Sequence, residues 1–128
     1  MKSILIADDD PMMVKLIEFN LRRAGYQVLV CREGLSVCDK VRASRPALVI
    51  LDVMIRGRTG LELLRACTTA NGLTALPVLI VTSEGQSSTE ADLLAAGALN
   101  VFTKPFSPTM LLDRIRQLLG DSQTQSEN

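Results

Sequence analysis

Four short apolar runs in this sequence each stop at a residue able to do chemistry: ILIA at Asp8, Asp9 and Asp10, LVIL at Asp52, VLIV at Thr82, and VFT at Lys104. Continuous apolar runs of this length suit strands covered on both faces. When parallel strands alternate with helices, their carboxyl ends lie along one edge of the sheet, and ligands bind in the crevice outside that edge. Carboxylates, a hydroxyl and an ammonium would therefore converge in one place. Adjacent carboxylates resist joint ionisation unless a cation sits among them, and an acidic oxygen cluster suits a hard ion such as Mg2+. A phosphate beside that ion would find a hydroxyl donor in Thr82 and a counter-charge in Lys104. The pattern describes a site for phosphoryl chemistry.

The remaining segments supply the helices. Strands are expected over Ser3 to Asp8, Tyr26 to Val30, Ala47 to Asp52, Pro77 to Thr82 and Asn100 to Thr103. Between the first two, Asp10 and Pro11 form a cap and first-turn pair, Val14, Ile17, Leu21 and Ala24 make one apolar face, and Gly25 ends the helix. Leu35, Cys38 and Val41 suggest the buried face of a second helix. Thr59 with Glu62 and Ser87 with Glu90 have capping-box spacing for a third and a fourth. Ser107 and Pro108 open a fifth, whose buried face takes Leu111, Leu112, Ile115, Leu118 and Leu119. Alternation of this kind predicts an α/β fold, a doubly wound parallel sheet with helices on both faces.

A length of 128 residues fits one domain. It is expected over residues 1–120, with 121–128 a polar tail or the start of a linker. Lys plus Arg and Asp plus Glu each total 14, a net charge of +0, so no basic excess marks a surface for direct nucleic-acid binding. Apolar runs reach about 5 residues, against the roughly 20 that a membrane-spanning helix needs. The acidic triplet also interrupts any signal-like start. A soluble, cytoplasmic protein without membrane association is the expectation. Cys31, Cys38 and Cys67 show no metal-site spacing and read as buried reduced thiols rather than a disulfide or a zinc site.

The pieces ILIADDDP, LVILDVMIRGRTG, VLIVTSEG, GALNVFTKPF and the closing helix, in this order from about Lys2 to Gly120, resemble the receiver domain of a two-component response regulator. That resemblance implies a five-stranded sheet in flavodoxin-like order 2-1-3-4-5. It also implies transfer of a phosphoryl group from a sensor histidine kinase or a histidine phosphotransfer protein onto Asp52. By the same resemblance Asp8, Asp9, Asp52 and the Met54 carbonyl form the Mg2+ site, Thr82 is the switch hydroxyl, Lys104 binds the phosphate, and the Lys104–Pro105 bond is cis. A cis bond is accessible there because an X-Pro peptide gives up only about 0.5–1 kcal/mol to adopt it.

Chemistry agrees with these roles. A carboxylate nucleophile forms a mixed anhydride, so charge on the incoming phosphoryl oxygens must be neutralised while the attack line stays open. Asp10, directly before Pro11, belongs to helix capping rather than to the metal. The resemblance also assigns kinase docking to the first helix and the loops after the strands, and output to the fourth helix, fifth strand and fifth helix, which could carry a homodimer contact. The chain contains no His, so the phosphoryl group must come from a partner. The protein is expected to be no enzyme beyond its own phosphorylation and dephosphorylation. It would act either as a single-domain regulator or as part of a longer chain with an output domain.

Two positions depart from the family pattern. Arg56 and Gly57 stand where Pro followed by Gly is usual, with Arg58 adding charge. Val101 stands where Tyr or Phe is usual, while Phe102 should point to the opposite face by strand alternation. A haloacid-dehalogenase phosphatase would also begin with an apolar strand and a D-x-D pair, here Asp8 and Asp10, but it needs Thr or Val where Met12 stands. A degenerate receiver acting only as a binding module would have no reason to keep Asp8, Asp9, Asp52, Thr82 and Lys104. Met12 and Met13 are read as packing or partner-contact residues, and Arg22 with Arg23 as compensating a helix C-terminus.

Overall fold

The computed structural model describes residues 2–53, 55, 60–69, 76–82 and 90–121. Strands and helices alternate: β1 Ser3–Ala7, α1 Pro11–Arg23, β2 Gln27–Cys31, α2 Gly34–Ser44, β3 Leu48–Asp52, α3 Gly60–Thr69, β4 Val78–Thr82, α4 Glu90–Ala95, β5 Asn100–Thr103 and α5 Pro108–Leu119. The strands form one parallel sheet in the order β2-β1-β3-β4-β5. Among the described residues no helix is long and apolar enough to cross a membrane.

Residue alternation along each strand divides the core in two. Leu5, Ala7, Val49, Leu51, Val78 and Ile80 face α2, α3 and α4, where Val37, Val41, Leu63, Leu64 and Leu93 meet them. Ile4, Ile6, Leu48, Ile50, Leu79 and Val81 face α1 and α5, against Val14, Ile17, Leu21, Leu111 and Ile115. The central strands β3 and β4 are buried at every position, whereas the edge strands β2 and β5 are only partly covered. Burying an aliphatic side chain of this size contributes about 1.5–3 kcal/mol, so the continuous runs seen in the sequence are the main source of cohesion. Val101 and Phe102 lie on opposite faces, as alternation requires.

Local chemistry sets the helix ends. The Asp10 side chain accepts from the Met12 and Met13 N–H groups, Pro11 occupies the first turn, and α1 stops before Gly25, which has φ 96°. Ser107 caps α5 in the same way through Met110 N. Thr59 and Ser87, the expected caps of α3 and α4, lie outside the described residues.

The structure corrects the expected second helix. α2 buries Gly34, Val37 and Val41, while Leu35 is 70% exposed and Cys38 only half buried. The apolar triplet of Leu35, Cys38 and Val41 has helical spacing, but the helix begins at Gly34 and turns its 34–37–41 face inward. Cys31 is buried as expected, Cys38 is not, and the side chain of Cys67 lies outside the described residues. On α5, Leu111 and Ile115 are fully buried, and Leu112, Leu118 and Leu119 are partly buried beside them. Five strand limits move by a residue: β1 ends at Ala7, β2 runs from Gln27 to Cys31, and β3 and β4 begin at Leu48 and Val78.

Candidate functional site

The last residues of two strands and the turns after two others deliver five polar side chains to one edge of the sheet. Asp8 and Asp9 follow β1, Asp52 and Thr82 are the last residues of β3 and β4, and Lys104 follows β5. Backbone bonds hold these ends in place. Asp8 N donates to Cys31 O at 3.1 Å, and Lys104 N donates to Thr82 O at 2.6 Å. The Lys104–Pro105 peptide is cis, as the resemblance implied. Among the described residues, Asp8, Asp52 and Thr82 are the buried polar ones in an otherwise apolar core. Sequestering polar groups here costs stability unless they are partnered.

One carboxylate oxygen from each of Asp8, Asp9 and Asp52 lies within 4.8 Å of the others. Lys104 Nζ reaches into this group, 3.3 Å from Asp52 Oδ2 and 3.6 Å from Asp8 Oδ2. The shorter contact is a hydrogen bond; the longer is an ion pair without one. Asp8 is completely inaccessible: its Oδ1 accepts the Asp10 N–H at 2.9 Å, and its Oδ2 has no hydrogen-bond partner among the described residues. Burial, reinforced by the neighbouring Asp52 charge, pushes the Asp8 carboxyl up to about 7, against the opposing pull of the Asp10 N–H and Lys104.

The donor set fits a hard divalent ion. All three side chains offer oxygen, which suits Mg2+ rather than a thiolate- or imidazole-seeking metal, and the orphaned Asp8 Oδ2 is a buried acceptor that a cation would satisfy. Mg2+ takes few protein oxygens and keeps water for the rest of its octahedron, so three carboxylates are a sufficient protein share of its ligands. Met54 lies outside the described residues, as do Arg56, Gly57 and Arg58.

Asp8, Asp9, Asp52, Thr82 and Lys104, singled out in the sequence, thus share one edge. Asp10 does not join them through its side chain, which caps α1. That removes the second acid a D-x-D phosphatase would need. Its backbone N–H nevertheless holds Asp8, a role that only an Asx-type turn signal at Asp8 could have suggested.

Residues 4–116 match the family model of the response regulator receiver domain. The chain is 31% identical over 122 residues to the alkaline phosphatase synthesis transcriptional regulatory protein PhoP of Bacillus subtilis, covering 95% of this chain and 50% of that protein. It spans about half the length of the curated relatives it matches. Among solved structures, the chemotaxis protein CheY4 of Vibrio cholerae superposes with a TM-score of 0.83 at 28% identity, over 93% of this chain and 99% of that one. The BeF3-activated N-terminal receiver domain of RstA from Klebsiella pneumoniae gives 0.81 at 28% identity, over 92% and 98%.

Proposed function

This chain belongs to the response regulator receiver domain family, and we propose that within it Asp52 is the residue that accepts a phosphoryl group. An Asp52 carboxylate oxygen attacks phosphorus in line, the bond from phosphorus to the donor nitrogen breaks, and an aspartyl phosphate and a free imidazole remain. The observation that carries this reading is the Lys104 ammonium held against Asp52 Oδ2, since it supplies positive charge where the phosphoryl oxygens would arrive. The Thr82 hydroxyl, at the end of the adjacent strand, is suited to donate to one of those oxygens. Asp8, Asp9 and Asp52, with the Met54 carbonyl, would hold Mg2+, which when bound supplies further charge neutralisation at the transferring group.

The chain contains no His, so a sensor histidine kinase or a histidine phosphotransfer protein is the proposed donor. Its docking surface is α1, where Met12, Leu16 and Phe19 lie exposed at i, i+4 and i+7 along one stripe. Output is assigned to α4, β5 and α5, where Leu94, Met110 and, in the turn before β5, Leu99 lie exposed, and a homodimer through this face is part of the proposal. The phosphorylated domain regulates a partner protein, or an output domain where the chain is part of a longer one. It turns over no substrate besides its own phosphoryl group and works in the cytoplasm.

Incubation with a small phosphodonor tests the assignment directly. Label should appear on the wild-type chain only with Mg2+ present and be absent from Asp52→Asn. Equal labelling of that variant would assign the acceptor elsewhere.

A further inference from the structure

At the opposite edge of the sheet, where β1 and β2 begin, three residues far apart in the chain meet. The Tyr26 hydroxyl donates to Asp121 Oδ2 at 3.0 Å across 95 residues, and Lys2 Nζ donates to Asp121 Oδ1 at 3.0 Å across 119. Lys2 also donates to the Leu119 carbonyl, one of those that a helix end leaves without a partner. The backbone closes around this point. Gly120 has φ 74°, and Asp121 N returns to Arg116 O at 2.8 Å, so α5 is terminated rather than merely ended. The Tyr26 ring is buried against the α1 and α5 side of the core. Asp121, which sequence reading assigns to a polar tail, is therefore fastened at once to the residues immediately before β1 and β2.

We propose that Lys2, Tyr26 and Asp121 form a clasp that fastens the end of α5 to the edge from which β1 and β2 start, fixing where and in which direction the chain leaves the domain. Any segment attached after Asp121 then starts from a set point and orientation. The division of labour follows from burial. The Lys2–Asp121 pair is accessible on both sides and is weakened by salt. The Tyr26 hydroxyl, rooted in the core, provides the rigid arm. Burial and the Asp121 carboxylate together push the Tyr26 phenol up to about 12.

The clasp carries its own reporter, because Tyr26 is the one tyrosine and the chain has no Trp. In the full chain, Tyr26→Phe, Lys2→Met and Asp121→Ala are compared by amide hydrogen exchange at Leu119, Gly120 and Asp121, with Ile4 to Ile6 as an internal control. All three variants should exchange at the helix end about tenfold faster or more while the control amides are unchanged. The absorbance titration of Tyr26 in Asp121→Ala should move down from its raised midpoint toward the ordinary tyrosine value. Faster exchange in Asp121→Ala alone would reduce the feature to a local helix cap and overturn the clasp. So would a Tyr26 titration that does not respond to Asp121. Neither readout uses phosphorylation, so the clasp can fail while the proposed function stands, and the reverse.

Discussion

The Lys104 ammonium stands 3.3 Å from Asp52 Oδ2, although 52 residues separate the two in the chain. Asp8 Oδ2 lies 3.6 Å from the same ammonium, so one cation is shared between two buried carboxylates. Replacing Lys104 by Met should lower the rate of phosphorylation of Asp52 by about 10²–10³-fold, the cost typical of losing one charge-stabilising donor. Asp52→Asn should remove labelling altogether. Stopped-flow or radiolabel kinetics with a small phosphodonor distinguish the two, and a Lys104→Met chain that labels at the wild-type rate would remove Lys104 from the chemistry.

Asp8 predicts an unusual pH dependence in Mg2+-free buffer. Its folded-state carboxyl titrates near 7 against 3.8 for an ordinary Asp, so between these values the folded protein binds more protons than the unfolded chain. Stability therefore falls as pH rises from about 4 to 7, because only the unfolded state gains from ionisation there. Asp8→Asn should flatten this slope and raise stability at pH 7 by roughly 1–3 kcal/mol. Urea denaturation at several pH values checks it. Added Mg2+ should restore wild-type stability at pH 7 and leave the variant unaffected; a variant less stable than wild type in Mg2+-free buffer would contradict the burial argument.

Asp9 and Asp10 are adjacent acids with separable consequences. Asp9 offers an oxygen to the carboxylate cluster, whereas Asp10 accepts from Met12 N and Met13 N at the start of α1. Asp9→Ala should weaken Mg2+ binding strongly with little loss of stability. Asp10→Ala should cost about 0.5–2 kcal/mol of stability, as cap removal does, with a much smaller effect on Mg2+. Metal titration and thermal unfolding of both variants settle the split, and equal losses of Mg2+ affinity would show it to be wrong.

Why these features were readable, and others not, follows from the range of the interactions behind them. Asp8, Asp52 and Thr82 end apolar runs, and parallel topology alone brings such ends to one edge, so no distance information was needed. The Asp10–Pro11 and Ser107–Pro108 helix starts are local in the same sense. Leu35 and Cys38 misled because three apolar residues at helical spacing do not say which face the helix turns inward; Gly34, invisible to a hydrophobic count, sets it against the sheet beside Val37 and Val41. The tie of Asp121 to Lys2 and Tyr26 spans 119 and 95 residues and has no periodic signature. The same holds for the Asp10 N–H that fixes Asp8, since a backbone donor leaves no mark in composition.

Val101 bears on how a change at the site would reach the surface. In receivers that carry an aromatic at this place, by the family resemblance, the ring and the hydroxyl corresponding to Thr82 change position together. Valine has no ring to swing and is stiff at its first torsion, and here it packs partly buried against the α2, α3 and α4 side of the core. The element expected to move instead is α4, whose described residues Glu90–Ala95 rest on the core through Leu93. A beryllofluoride-type phosphate mimic bound with Mg2+ should therefore leave the Val101 rotamer unchanged and shift the backbone resonances of Glu90 to Ala96 more than those of α2 or α5. Methyl and backbone NMR with and without the mimic measures both at once. Repacking of Val101 or Phe102 with α4 unmoved would mean that the signal travels through β5 instead, and Val101→Tyr would then be expected to change little. If α4 does carry the signal, Val101→Tyr should add a second moving part and alter the output surface.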